Sequence, residues 1–157
     1  MPSLVGSEMC IRDRLYGECV WEELCHFNLM DQLKKNKKKI GIVFNLDEHW
    51  LEGSHWVSLF LDIPSRKICY FDSAGDDIPT EIQTLIERII HQGKMLDIQF
   101  KCEKNHPFRH QMEESECGVY CLYFIINMIK NPTFTKFKKE RIRDKHIEKY
   151  RRIYFTI

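Results

Sequence analysis

The chain has no apolar run approaching the ~18 residues that a membrane-spanning helix requires. Its longest, Val119 to Ile126, is bounded by Cys117-Gly118 and Asn127, so no membrane partner is expected. A basic start followed by an apolar stretch is also absent, so no secretory signal is expected. Charge of one sign is not in excess: 24 Lys and Arg stand against 23 Asp and Glu, a net of +1. That balance excludes a globally basic nucleic-acid coat. Internal repeats and low-complexity tracts are missing. The seven cysteines (positions 10, 19, 25, 69, 102, 117 and 121) are odd in number and follow no framework spacing. They read as thiols in a reducing compartment.

What is present fits one globular domain. The chain has 157 residues, 43% of them hydrophobic and 12% aromatic. A chain of that length buries roughly 70% of its unfolded surface and needs no disulfide or metal to hold a core. The near-zero net charge conceals an asymmetry. Residues 136–152 hold nine basic and three acidic side chains, a net of +6, which leaves −5 for the remainder. Such a basic stretch reads as a salt-bridged surface helix, with Glu140, Asp144 and Glu148 at i, i+4 spacing, or as a weak DNA-associating surface.

Residues 3–13 show no periodicity and resemble translated sequencing-adapter read-through. The expectation is a non-native or disordered leader over 1–14 and a single domain over 15–157, with a genuine N-terminal part left out if the read-through reading holds. Within 15–33, apolar residues at helical spacing suggest one or two short helices. The lysine run 34–39 then reads as a solvated loop before a strand over Ile40–Leu46, or alternatively as a nuclear-import or anion-binding patch. Asp47–Ser54 is a polar loop. Trp56–Ile63 and Lys67–Phe71 read as strands joined by a turn at 64–66. Pro79 and Glu81 open a helix whose stripe is Ile82, Leu85, Ile86, Ile89 and Ile90, and Gly93 can stop it. Leu96–Cys102 reads as a strand and 105–116 as a polar loop. Gly118–Ile129 is apolar nearly all round, as a core helix must be.

Cys117 opens that buried helix. Unpaired N–H groups and the positive end of the dipole would stabilise its thiolate, the nucleophilic form; alternatively it is a small apolar residue. His55 precedes one strand of the hairpin and Asp72 follows the other. Residues paired across a turn at 63–66 have numbers summing to about 127–129, and His55 with Asp72 gives 127. The two then lie opposite or diagonal, roughly 5–8 Å apart. The Asp can orient the imidazole, or the pair can be a strand-end salt bridge.

Three segments carry a resemblance: Gly53-Ser54-His55-Trp56-Val57, Tyr70-Phe71-Asp72-Ser73, and Gln111 through Cys117-Gly118-Val119-Tyr120. In order and spacing they resemble the signature segments of the ubiquitin-like-protein proteases, which include SUMO proteases and, more distantly, the adenovirus protease. Phe44-Asn45-Leu46-Asp47, the Ser-Glu-Cys-Gly-Val-Tyr box and the ending Arg151-Arg152-Ile153-Tyr154-Phe155 look like the version in large DNA viruses. The resemblance implies an α+β, papain-like or adenain-like cysteine protease fold, with a central mixed sheet packed on a buried helix that starts at the nucleophilic cysteine.

It further implies Cys117 as nucleophile, His55 as base and Asp72 as the orienting acid. Gln111, with the Cys117 backbone N–H, would form the oxyanion hole, and Trp56 would wall a narrow cleft that favours glycine at the scissile bond. No metal or cofactor is implied. The implied substrate is a polypeptide, either a viral polyprotein cut at Gly-Gly-X sites or a ubiquitin-like conjugate. The implied location is host cytoplasm, virus factory or virion if viral, and otherwise nucleus or cytoplasm. Two departures stand out: Glu116 where SUMO proteases usually carry Asp, and a short N-terminal side. Three rivals remain: an inactive relative kept as a binding module, a zinc module built from Cys102, His106, His110, Cys117 and Cys121, and a nucleic-acid binder.

Overall fold

A computed structural model describes residues 3–10, 22–46 and 55–155, the first segment and residues 22 and 23 as backbone only. The polar loop 47–54 and the apolar positions 15–21 lie outside the described residues.

In chain order the elements are β1 (Ser3–Cys10), α1 (Glu22–Cys25), α2 (Leu29–Lys34), β2 (Lys39–Asn45), β3 (Trp56–Asp62), β4 (Lys67–Phe71), α3 (Thr80–Met95), β5 (Lys101–Lys104), α4 (Cys117–Lys130), α5 (Thr135–Lys139) and α6 (Asp144–Tyr154). The strands form one mixed sheet in the order β1-β2-β3-β4-β5. The β2–β3 and β3–β4 pairs are antiparallel, whereas β1–β2 and β4–β5 are parallel.

Side chains alternate across this sheet with period two, as the pleat requires. Ile40, Ile42 and Phe44 of β2, Val57, Leu59 and Leu61 of β3, and Ile68 and Tyr70 of β4 face α3, which contributes Ile82, Leu85, Ile86 and Ile89. Phe60, Cys69 and Phe71 face the opposite side, where α4 brings Val119, Tyr120, Phe124, Ile125 and Met128, and Phe134, Phe137 and Ile147 close the layer. The sheet is therefore covered on both faces. Phe124 stacks on Phe71 with ring centroids 4.9 Å apart and meets Phe137 edge-on at 5.1 Å. These contacts hold α4 rigidly behind the hairpin, which fixes where its first residue, Cys117, can sit.

Several sequence expectations are corrected. Gly93 does not stop α3, which continues to Met95. Its lack of a side chain serves close packing instead, since a Cβ would lie 2.6 Å from the Phe100 ring and 2.7 Å from the Ile98 carbonyl. The strand read at 96–102 begins only at Lys101. Asp97 takes a positive φ of 58°, which turns the chain, although Ile98, Phe100 and Cys102 do pack on the α3-side core. Residues 3–10, read as a leader without regular structure, run as an edge strand against β2, Ser3 opposite Ile40 and Cys10 opposite Asn45. Backbone groups make that pairing, so it asks for no side-chain periodicity. Cys25 is disulfide-bonded, against the reading of every cysteine as a thiol, while Cys69, Cys102, Cys117 and Cys121 are free.

Helix α4 approaches β2 so closely that a Cβ on Gly41 would lie 2.7 Å from Cγ2 of Ile125. Gly41→Ala is therefore expected to destabilise by about 1–3 kcal/mol through overpacking. Ile125→Ala, which removes the clashing Cγ2, should cost less in the Gly41→Ala background than in the parent. Chemical denaturation of the single and double variants checks both.

Candidate active site

Hairpin register brings the first two candidate residues together. Ser58 pairs with Phe71 and Leu59 with Tyr70, so paired numbers sum to 129 and His55 sits diagonal to Asp72 just beyond the last pair. The His55 Nε2–H donates to Asp72 Oδ1 at 2.7 Å, with the carboxylate almost fully buried and the imidazole 22% exposed. Nδ1 is left for the third residue. Cys117, the first residue of α4, hydrogen-bonds the His55 side chain and receives backbone N–H groups from Trp56 and Gly118. The thiol is buried.

The electrostatics of this trio turn on competition between burial and partners. Burial alone would lower the basicity of His55. The hydrogen bonds to Asp72 and Cys117, with the attraction of both anionic partners, outweigh it and raise the pKa to about 10. Burial would likewise raise the Cys117 thiol. The His55 hydrogen bond, the two backbone donors and the imidazolium charge overcome it and bring the thiol below its ordinary value. The combination favours a thiolate–imidazolium pair, which titrates as a unit.

Gln111 is buried beside the same corner. Its Oε1 accepts from Ser73 Oγ at 2.6 Å, and its Nε2 donates to the Glu113 carbonyl. The second Nε2 hydrogen remains available to another acceptor. Trp56 flanks the start of α4, with its Cγ about van der Waals distance, 4.0 Å, from where a side chain on Gly118 would begin. All five residues singled out in the sequence are thus positioned by the β3–β4 hairpin, the 110–116 loop and the head of α4.

The sequence did not reveal what holds them. Asn105 clamps the Asp72 backbone from both sides: its Oδ1 accepts the Asp72 N–H at 2.9 Å, and its Nδ2 donates to the Asp72 carbonyl at 2.6 Å. Ala74 N–H donates to Asp72 Oδ1 at 2.8 Å. Glu116, the departure from the SUMO-protease pattern, is buried and takes Arg151 Nε on its two oxygens at 3.0 and 3.1 Å. Arg151 also donates to the Ser115 carbonyl.

The basic stretch is correspondingly not a uniform surface. Asp144 is buried and accepts the Met112 N–H and the Tyr120 hydroxyl, Arg141 donates to the His110 carbonyl, and Lys138 pairs with Glu103 at 2.7 Å. The i, i+4 charge pattern read as a solvated helix therefore breaks at Glu140, between α5 and α6, and at buried Asp144. The zinc rival also fails on geometry. His110 donates from Nε2 to the Phe137 carbonyl and accepts the Ile142 N–H at Nδ1, which occupies both ring nitrogens. Among the described residues no three His, Cys, Asp or Glu side chains gather as metal ligands.

A mixed sheet backed by a helix that starts at an activated thiol, with a His–Asp couple from the adjoining hairpin, defines the cysteine-peptidase class of site. Comparison with known proteins agrees. The Ulp1 protease family, C-terminal catalytic domain, matches residues 27–156, and the chain belongs to that family. It is 35% identical over 119 residues to a putative thiol protease of Acanthamoeba polyphaga mimivirus, covering 74% of this chain and 38% of that one. It is 32% identical over 127 residues to a cysteine protease of African swine fever virus, covering 80% and 46%. A crystal structure of the selenomethionine form of the African swine fever virus protease matches with a TM-score of 0.76 at 26% identity, over 98% of this chain and 61% of that one. The chain thus spans less than half the length of the curated relatives it matches.

The two pKa shifts predict a pH profile. Alkylation of Cys117 by iodoacetamide should rise with pH along a limb below the ordinary thiol value of 9.0, because the folded thiol ionises early. Turnover should hold through neutral pH and fall as His55 loses its proton near pH 10. In His55→Ala, burial dominates and the alkylation limb should move above the ordinary value. A limb that stays put in that variant would refute the pairing.

Proposed function

We propose that this chain is the catalytic domain of a cysteine endopeptidase that cleaves polypeptides at glycine-rich, Gly-Gly-X sites by a Cys-His-Asp mechanism, as in viral polyprotein processing. The single observation that carries the reading is the His55–Asp72 bond of 2.7 Å joined to a Cys117 thiol held below its ordinary pKa. Cys117 attacks the scissile carbonyl as thiolate. Its electron pair forms the C–S bond while the carbonyl pair moves to oxygen, where the Cys117 N–H and Gln111 Nε2–H receive the oxyanion. Imidazolium His55 gives its proton to the leaving amine as the C–N bond breaks. Neutral His55 then takes a proton from water, which attacks the acyl-enzyme and restores the thiolate. Asp72 holds the ring in the orientation and tautomer that both steps need.

Trp56 lies beside Gly118 at the head of α4, and as a wall of the approach to Cys117 it would favour residues without a Cβ. A second reading is deconjugation of ubiquitin-like proteins, supported by the description of related African swine fever virus enzymes as SUMO-1 cysteine proteases. The inactive-relative reading is disfavoured because a binding module needs no activated thiol. Any DNA association would use the side chains of 136–152 that stand on the surface, such as Lys139, Arg143, Lys145 and Lys149.

Cys117→Ser and His55→Ala are expected to abolish cleavage while leaving far-UV circular dichroism and Tm close to the parent. Gln111→Ala should lower kcat about 10²-fold with KM little changed. Two substrate panels separate the readings. Short Gly-Gly-X peptides cut as well as intact ubiquitin-like fusions support polyprotein processing, and fusions cut far better support deconjugation. A folded parent chain that cuts neither overturns both.

A further inference from the structure

The polar corner after β4 serves two parts of the site at once. Asp72 ends the strand and meets His55, and the next residue, Ser73, is fully buried and turned toward Gln111. Three hydrogen bonds join Ser73 to the 110–111 segment. Its carbonyl accepts the backbone N–H groups of both His110 and Gln111 at 2.9 Å, and its hydroxyl donates to Gln111 Oε1 at 2.6 Å. A bland serine in the core would satisfy its hydroxyl on a nearby carbonyl. Here it reaches 38 residues along the chain to one side-chain amide.

The consequence lies in the chemistry of an amide, whose oxygen accepts and whose nitrogen donates. A Gln111 amide turned end for end would present its oxygen to the Glu113 carbonyl, two acceptors facing each other, and would break the contact that Nε2 now makes there. Its nitrogen could still approach the Ser73 hydroxyl only if that hydroxyl reversed from donor to acceptor. The serine and the Glu113 carbonyl together therefore select one orientation. In it both N–H bonds lie on the nitrogen side, one taken by Glu113 and one without an acceptor among the described residues. An oxyanion needs such a fixed donor, because a dipole already aimed at the developing charge requires no reorganisation during the reaction.

We propose that Ser73 is a positioning residue that locks the Gln111 amide with its N–H edge toward the reacting carbonyl, so that the Asp72-Ser73 corner aligns the base and the oxyanion donor as one unit. This rests on the cysteine-peptidase reading above for its effect on turnover, but not for the geometry of the amide itself.

The test compares Ser73→Ala, Ser73→Thr, Gln111→Ala and the double variant Ser73→Ala/Gln111→Ala. Expected for Ser73→Ala is a roughly tenfold fall in kcat at similar KM, the scale of one hydrogen bond. The rate of Cys117 alkylation should not change, because the ion pair is untouched. Ser73→Thr keeps the hydroxyl and should recover most of the loss. In the Gln111→Ala background the serine substitution should cost nothing more. Of the two Gln111 side-chain N–H signals, identified by their loss in Gln111→Ala, the one bonded to the Glu113 carbonyl should be exchange-protected in the parent and lose that protection in Ser73→Ala. That readout needs no turnover, so a chain that cleaves no peptide overturns the peptidase reading while this proposal is still judged by exchange. Unchanged exchange protection in Ser73→Ala, or an equal fall in kcat with and without Gln111, overturns the proposal.

Discussion

The register of the β3–β4 hairpin is the constraint on which the site depends. With Ser58 opposite Phe71, Asp72 falls opposite Val57 and diagonal to His55, close enough for a 2.7 Å hydrogen bond. A slip by one residue would turn every side chain of the strand to the other face. It would send Val57, Leu59 and Leu61 toward α4 and Phe60 toward α3. Because both faces of the sheet are covered by packed helices, such a slip would disrupt two cores at once. The His55–Asp72 geometry is in this sense held by burial of apolar side chains several residues away.

The other half of the arrangement is electrostatic. His55 and Cys117 are each placed where burial opposes their charged forms, and each charged form is restored by the other together with fixed hydrogen bonds. A pair of this kind persists only while all its partners are present, since without one of them burial returns the other to its neutral form. That explains the density of supporting contacts around Asp72, where Asn105 holds the backbone and Ala74 shares the carboxylate oxygen. It also gives the C-terminal helix a place in the account. Through Arg151 on Glu116 and Asp144 on the Met112 N–H, α6 braces both ends of the loop segment that leads into Cys117.

What was legible in the sequence had a short period or a local rule behind it. The strand alternation of 56–71 gave the hairpin and, with it, the meeting of His55 and Asp72. The stripe from Ile82 to Ile90 gave α3, and the unbroken apolar run after Cys117 gave α4 with the thiol at its head. What escaped was polar and non-local. Asn105 and Ser73 act across 33 and 38 residues, and Arg151 acts across 35. They sit in segments where nothing in the spacing separates a clamp from a solvated loop. Periodicity also misled where tertiary packing overrode it. Leu96–Phe100 alternates like a strand but turns at Asp97, and the charge pattern after Lys136 looks like one exposed helix although Asp144 is buried.

The ionisation state of His55 tests the central claim most directly. With 13C at the imidazole Cε1 position, the His55 resonance can be followed by NMR across pH and identified by its loss in His55→Ala. The account predicts a ring that stays protonated through neutral pH and titrates near 10. In Cys117→Ser, where no thiolate faces it, the titration should drop substantially. A His55 ring that is already neutral at pH 7, or that titrates identically with and without the Cys117 thiol, would contradict the thiolate–imidazolium pair and the mechanism built on it.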